Sequence, residues 1–337
     1  MPPTAAPSDA QIVRELQAVY GRYAEQTGKV IVGHKLLVEH LFASILCRGH
    51  CLLTGVPGVA KMSCVSSVAQ ILQLSYRRIT FTPDLSSADI IGSESPQEDP
   101  ETGRPRSVFS PGPVFANLLM VEEIDQAPPK TRIALLDAMQ TGSVTVGGQT
   151  YRLPEPFHVV ATLNPNNPND AYPFTNAQLD QFLFHLRLNY PSRADEIQIM
   201  KASGSTRAEL THVADARQIA AFQQVVRRML VGDHVFAYVA DLVRASRPKE
   251  AGAAKWVNDW VNWGAGPRAS QSLILSAKTW AAMAGRVHVT TDDIRASVLS
   301  VLRHRIKPTP RAEADGLTPD AIIKKLIDSV PVPTKRA

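Results

Sequence analysis

Long apolar runs are missing from this 337-residue sequence, and none approaches the roughly 18 residues that a membrane-spanning helix needs. A leader pattern is missing too. Met1 to Asp9 is rich in Pro and Ala, with neither a basic nor a hydrophobic region, so no signal peptide is expected and the chain reads as cytoplasmic. Cysteine is scarce: Cys47, Cys51 and Cys64 form an odd set with no Cys-x-x-Cys spacing. That argues against a disulfide framework or a zinc motif and leaves reduced, mostly buried thiols. No block of one charge sign occurs either. The 36 Lys and Arg residues against 31 Asp and Glu give a net +5 spread along the chain. A nucleic-acid binder clusters its basic residues on one face or arm, so no nucleic-acid partner is expected.

What is present has a globular balance, 44% apolar and 20% charged, which argues against wholesale disorder. At about 150 residues per domain the length suits two domains. Ser8 and Gln11 have capping-box spacing, and Ile12, Leu16, Val19, Tyr20 and Tyr23 then share a helical face. A second helix is expected from Lys35 to about Cys47. Short apolar runs at Cys51–Thr54, Tyr76–Phe81, Ala116–Val121 and Phe157–Ala161 alternate with helical stretches, including Val65–Leu72 and Thr131–Met139. Strands alternating with helices up to about Pro191 predict an α/β unit with a mostly parallel sheet.

Beyond Pro191 helical spacing takes over, at Ile219, Phe222, Val226 and Met229 and again at Val235, Val239 and Leu242. Thr290 with Asp293, and Thr318 with Pro319 and Asp320, open two further helices. The carboxyl third therefore reads as a smaller α-helical domain. Two hairpins are expected to interrupt the α/β part, at Glu94–Arg106 and Val144–Tyr151, either as contact surfaces or as solvated decoration. Trp256, Trp260 and Trp263 are spaced to share one face of a helix leading toward Arg268, for lid packing or for partner docking.

Gly55-Val56-Pro57-Gly58-Val59-Ala60-Lys61-Met62 follows a predicted strand and precedes a predicted helix, the context of a phosphate-binding loop. Backbone N–H groups of such a loop point at the β-phosphate, and Lys61 neutralises the β- and γ-phosphate oxygens. The last position normally carries a Ser or Thr hydroxyl that coordinates Mg²⁺, yet here it is Met62, a thioether that hard cations disfavour. Ser63 follows but is rotated about 100° around the helix. Ala60, where such loops carry Gly, is expected to need no special backbone angle. Leu118-Leu119-Met120-Val121-Glu122-Glu123 is an apolar strand ending in two acids. Glu122 is placed to hold Mg²⁺, although it is one methylene longer than the usual Asp, and Glu123 to activate water. Asn164, at the end of Ala161-Thr162-Leu163, is placed to orient that water, or else simply to form a turn.

Together these residues resemble the MoxR family of AAA+ ATPases from about Ile31 to Pro333. Further stretches carry the likeness: Ile31-Val32-Gly33-His34, Phe81-Thr82-Pro83-Asp84-Leu85, Pro111-Gly112-Pro113-Val114-Phe115-Ala116-Asn117, Ala127-Pro128-Pro129-Lys130, Gln178-Leu179-Asp180, Tyr190-Pro191-Ser192-Arg193 and Gly266-Pro267-Arg268-Ala269. The resemblance implies an N-terminal tail and helix (1–28), an αβα P-loop NTPase core (29–195) and an α-helical lid (196–337). It implies ATP and Mg²⁺ as ligands and an oligomeric ring, typically a hexamer. It also implies chaperone-like work on a client complex, often beside a von Willebrand factor A domain protein. By the same likeness Ile31, Val32 and Gly33 line the adenine pocket, Asn164 is sensor 1, and Arg268 is sensor 2, reaching from the lid to the γ-phosphate. Glu94–Arg106 matches the helix-2 insert, and Val144–Tyr151 matches the hairpin before sensor 1.

One further position departs from the family pattern. An arginine finger is expected after Leu179-Asp180, and Gln181 stands there. A finger accelerates phosphoryl transfer by about 10³ to 10⁵, or roughly 4 to 7 kcal/mol of barrier. Met62, Glu122 and Gln181 all touch the metal or the transferring group, whereas Gly58, Lys61, Glu123, Asn164 and Arg268 are kept. The pattern favours retained nucleotide binding with weakened or absent hydrolysis. A regulatory subunit of a mixed ring and a DNA-acting remodeller are the alternatives, and the acids around Arg104 and Arg106 weigh against the latter.

Overall fold

The computed structural model describes residues 8–56, 58–98, 105–163, 173–202 and 208–333. Ser8 starts the first helix, α1 (Asp9–Gly28), by a reciprocal cap in which Gln11 N–H donates to its Oγ and its own N–H donates to Gln11 Oε1 at 2.7 Å. Helix α2 (Lys35–Leu46) is buried along most of its length. Strand β1 (Cys51–Gly55) then passes through the glycine loop into α3 (Lys61–Ile71). Next come β2 (Tyr76–Thr80), α4 (Ser87–Ile91), and the hairpin strands β3 (Gly92–Glu98) and β4 (Pro105–Pro111). They are followed by β5 (Leu118–Glu122), α5 (Pro129–Thr141), the hairpin β6 (Ser143–Val146) and β7 (Gln149–Arg152), and β8 (His158–Leu163). Short α6 (Asn176–Leu179), β9 (Phe184–Leu188) and α7 (Arg193–Ala202) complete the α/β part.

Five strands form one parallel sheet in the order β2-β5-β8-β1-β9. Side chains alternate between its faces. Cys51, Leu53, Leu118, Met120 and Val160 join the apolar layer of α1, α2 and α3, while Leu52, Leu119, Val121, Val159 and Ala161 join that of α5. This two-sided burial explains why the strands read as continuous apolar runs. Both expected hairpins form, the tip at 99–104 lying outside the described residues. They pack together: the Phe109 and Tyr151 rings stack with centroids 4.0 Å apart, and a Cβ at Gly147 would collide with the Glu94 carboxylate.

The lid comprises α8 (Ala216–Arg228), α9 (Asp233–Arg244), α10 (Lys255–Trp260), α11 (Pro267–Met283), α12 (Thr291–Leu302), α13 (Pro310–Ala314) and α14 (Pro319–Ser329). A small antiparallel pair, β10 (Val261–Trp263) with β11 (Lys307–Pro308), is woven into it. That pair corrects the tryptophan expectation. Helix α10 stops at Trp260, and Trp263 lies on a strand, 60% exposed, so the three indoles do not share one helical face. Trp256 and Trp260 pack against each other and under the Lys325 ammonium, 4.9 and 4.1 Å from the two ring centroids.

The lid lies across α2 and β9. Helix α1 is wedged beside it, with Leu16, Val19 and Tyr23 in the same apolar cluster as Leu273 and Ala277 of α11, and Asp9 paired with Arg228 at 2.7 Å. Arg303 Nη1 donates to His185 O at 2.6 Å, and His304 Nε2 donates to Phe182 O at 3.0 Å. Among the described residues, no helix is long and apolar enough to cross a membrane.

Candidate functional site: a phosphate cleft and a second basic pocket

At the C-terminal edge of the sheet a cleft of about 380 Å³ is lined by Gly55, Gly58, Lys61, Arg78, Glu122, Glu123 and their neighbours. Strand β1 ends in a glycine, Gly55, where any Cβ would meet the Leu188 carbonyl of β9. Gly58 takes φ +83°, a value glycine adopts without strain. Ala60 is left-handed as well, at φ +53° and ψ +26°. That corrects the expectation that this position needs no special angle: the chain must turn there to enter α3, and an L-residue does so at a cost of about 1 to 2 kcal/mol. Lys61 Nζ donates to Gly55 O at 2.9 Å. Burial pushes its ammonium below its ordinary pKa, opposed by the nearby Glu122 and Glu123 charges. Pro57 and Asn164 lie outside the described residues.

Val59 is buried beneath the loop and also borders a pocket with Tyr190 and Pro191. Ile31 and Gly33 line a cavity of about 240 Å³ between α1 and α2, and none of its lining residues belongs to the phosphate cleft. The connection runs through His34, whose imidazole hydrogen-bonds the Val59 backbone while burial lowers its pKa. Val32 is half-buried in the same loop, and a Cβ at Gly33, which takes φ +78°, would crowd Asp195 of α7.

The strand-end acids part company. Glu123 projects into the cleft from a left-handed backbone, φ +53°, held by donation of its N–H to Thr162 Oγ1 at 3.0 Å. A strained, positioned acid at a ligand cleft is a common functional arrangement. Glu122 Oε2 accepts from Arg78 Nε at 2.6 Å, from Arg78 Nη2, and from Thr80 Oγ1 at 3.2 Å. Met62 and Ser63 are exposed on α3, and neither lines the cleft. These donors do not fit a divalent metal. One residue is a thioether, one hydroxyl faces away, and of the two Glu122 oxygens Oε2 is already surrounded by three hydrogens. Among the described residues no group of three His, Cys, Asp or Glu side chains is arranged to hold a metal.

Arg78, Thr80 and Thr162 were not singled out by sequence reasoning. The parallel ladder gives the signal after the fact. Thr80 pairs with Glu122 and Arg78 with Met120, so period-2 alternation puts both side chains on the Glu122 face.

Arg268 is not at this cleft, which corrects its expected reach to the chain's own γ-phosphate. It lies at the other end of β1, in a pocket of about 250 Å³ with Arg48, His50, Asp180, Gln181 and Arg305. Helix α11 packs behind α2, so its first turn faces the residues preceding β9 instead of the glycine loop. There Arg268 Nη1 stands 3.4 Å from Asp180 Oδ2, and Arg305 Nε donates to Asp180 Oδ1 at 2.6 Å. Gln181 keeps a buried Oε1 with no hydrogen-bond partner among the described residues.

Comparison with known proteins agrees with this anatomy. Residues 50–184 match the model of the ATPase family associated with various cellular activities (AAA), and residues 253–326 match the AAA lid domain. Chaperone MoxR1 of Mycobacterium tuberculosis is 36% identical over all of this chain and 87% of its own length. Protein MoxR of Paracoccus denitrificans is 29% identical over 90% of this chain and 93% of its own. A crystal structure from Cytophaga hutchinsonii that bears a provisional ATPase name superposes with a TM-score of 0.88 at 31% identity, covering 96% of this chain and 97% of that one. A phosphate loop, strand-end acids and a helical lid in this order, matched along the whole length, make the chain a member of the MoxR family of AAA+ ATPases.

Proposed function

We propose that the chain is a nucleotide-binding, chaperone-like subunit whose own ATP hydrolysis is weak or absent, and that it works within an AAA+ ring on a partner protein complex. The observation that carries this reading is the divided chemistry of the cleft. Gly55, Gly58 and Lys61 line the cleft and would grip phosphate, while Glu122 is engaged by Arg78 and Met62 stands where a metal-binding hydroxyl is expected. Loop N–H groups and the start of α3 would receive the β-phosphate, and Lys61 would offset its charge. Glu123 is the base available to draw a proton from an attacking water.

The second pocket supports a role for the opposite edge. By the family likeness, the position held by Gln181 faces a neighbouring subunit's nucleotide, and Arg268 stands in the same pocket. Arg268 would then bring to the neighbour the charge that Gln181 lacks. The same geometry favours a mixed ring as the second reading, in which a finger-bearing paralogue serves this chain's cleft. A client complex and a von Willebrand factor A domain protein are the partners the reading expects.

The test is Mg²⁺-dependent ATP turnover by the purified chain, with Glu123→Gln as the blank. Turnover equal to the blank supports the reading; turnover well above it makes the chain a working motor. Failure to co-assemble with a finger-bearing MoxR paralogue removes the mixed ring.

A further inference from the structure

We propose that Arg78 is a built-in substitute for the divalent metal, so that the cleft takes a nucleoside di- or triphosphate free of Mg²⁺. The inference rests on the nucleotide-binding reading above and adds what balances the phosphate charge. In a metal-dependent site the ion bridges a strand-end carboxylate to phosphate oxygens. Here a guanidinium already occupies the carboxylate side of that bridge. Arg78 gives Nε and Nη2 to Glu122 Oε2, and Thr80 Oγ1 adds a third donor to the same oxygen. A cation approaching that oxygen would meet three hydrogens and a full positive charge.

The other half of the bridge is open. Arg78 is 46% exposed, its side chain lines the same cleft as Lys61, and Nη1 has no partner among the described residues. A planar guanidinium can hold a carboxylate with one edge and a phosphate oxygen with another, which an ammonium cannot match in geometry. The departures at positions 62 and 122 then have one cause. With Arg78 in place a hydroxyl at position 62 has no ion to bind. The extra methylene of Glu122 brings its carboxylate to β2, where Arg78 and Thr80 meet it.

The experiment is fluorescence anisotropy of mant-ADP with the full-length chain, in EDTA and in MgCl₂. Expected affinities in the two buffers agree within about threefold, and Arg78→Gln weakens binding in EDTA by about tenfold or more, as loss of a charge-assisted hydrogen bond does. In that variant Glu122 is released, so Mg²⁺ should now tighten binding. The wild-type comparison decides the matter even if the variant does not fold, and Arg78→Lys, which keeps the charge, should fall between the two. Wild-type binding about tenfold or more tighter in MgCl₂ would overturn the inference and leave the nucleotide-binding reading standing. Undiminished binding by Arg78→Gln would overturn the role of Arg78 alone. Absence of binding in both buffers would overturn both.

Discussion

Charged groups at the two ends of the central sheet serve opposite purposes. At the C-terminal edge Lys61, Arg78, Glu122 and Glu123 surround an open cleft. At the N-terminal edge Arg305 is 3% exposed and donates to the Asp180 carboxylate and to the carbonyls of Val301, Leu183 and Phe182. Histidines there are equally engaged: His50 Nδ1 accepts from Val159 N–H while its Nε2 donates to Met139 O, which fixes a neutral ring. Charge at the open end is available to a ligand, and polar groups at the closed end join core to lid. Arg268, half exposed beside Asp180, is the exception that gives the closed end a surface.

Acid should break the closed end first, with the largest effect. Burial chiefly holds His40 and His50 down to about 4 and His158 to about 3. These values lie below the ordinary 6.5, so the unfolded chain takes up protons before the folded one does. The stability these rings contribute is therefore full above about pH 6.5 and lost between there and about pH 4, at about 1.4 kcal/mol per pH unit for each ring. Urea midpoints measured across that window should fall steeply. A flat profile from pH 6.5 to 5 would contradict the assignment of these rings as neutral glue.

Arg305→Met tests the same end without changing pH. Removing the guanidinium leaves three buried carbonyls without this donor and takes from half-buried Asp180 its nearer partner, so urea unfolding should show a loss of about 3 to 5 kcal/mol. Arg268→Met, by contrast, removes a half-exposed partner of the same carboxylate and should cost about 1 kcal/mol or less.

How far this division was legible in the sequence follows from what each end depends on. The open end is built from contiguous residues, so Gly55 to Lys61 and Glu122-Glu123 could be read along the chain. Arg78 could not, because its meaning comes from the register of β2 beside β5. The closed end depends on where α11 lies, and helical periodicity fixes which face is apolar but not which neighbour covers it. That is why Arg268 was expected at the wrong end of β1. The tryptophans failed for a related reason: spacing of four and three fits a helix, yet pairing of Val261 with Pro308 turns the chain into a strand.

Lys61→Ala sharpens the comparison at the open end. Loss of the ammonium should weaken mant-ADP binding by roughly 10- to 100-fold, the worth of a charge-assisted contact, while the urea midpoint stays within error. Arg268→Ala should leave the affinity of the isolated chain unchanged, since its pocket shares no lining residue with the cleft. If Arg268→Ala weakened binding as much as Lys61→Ala, the separation of the two ends would fail.

The smallest effect should come from the loop itself. Ala60 holds φ +53° at the start of α3, where a Cβ crowds the following carbonyl at a cost of about 1 to 2 kcal/mol. Ala60→Gly removes that crowding but gives the unfolded chain more freedom, which offsets about 0.4 to 1 kcal/mol. The net gain in stability should thus be about 1 kcal/mol or less, read as a small rise in the urea midpoint. Nucleotide affinity should not fall, because the backbone N–H groups keep their directions. A fall in affinity would mean that the strain at Ala60 itself holds the loop in its binding shape, and that the open end, like the closed one, is fixed by packing as well as by charge.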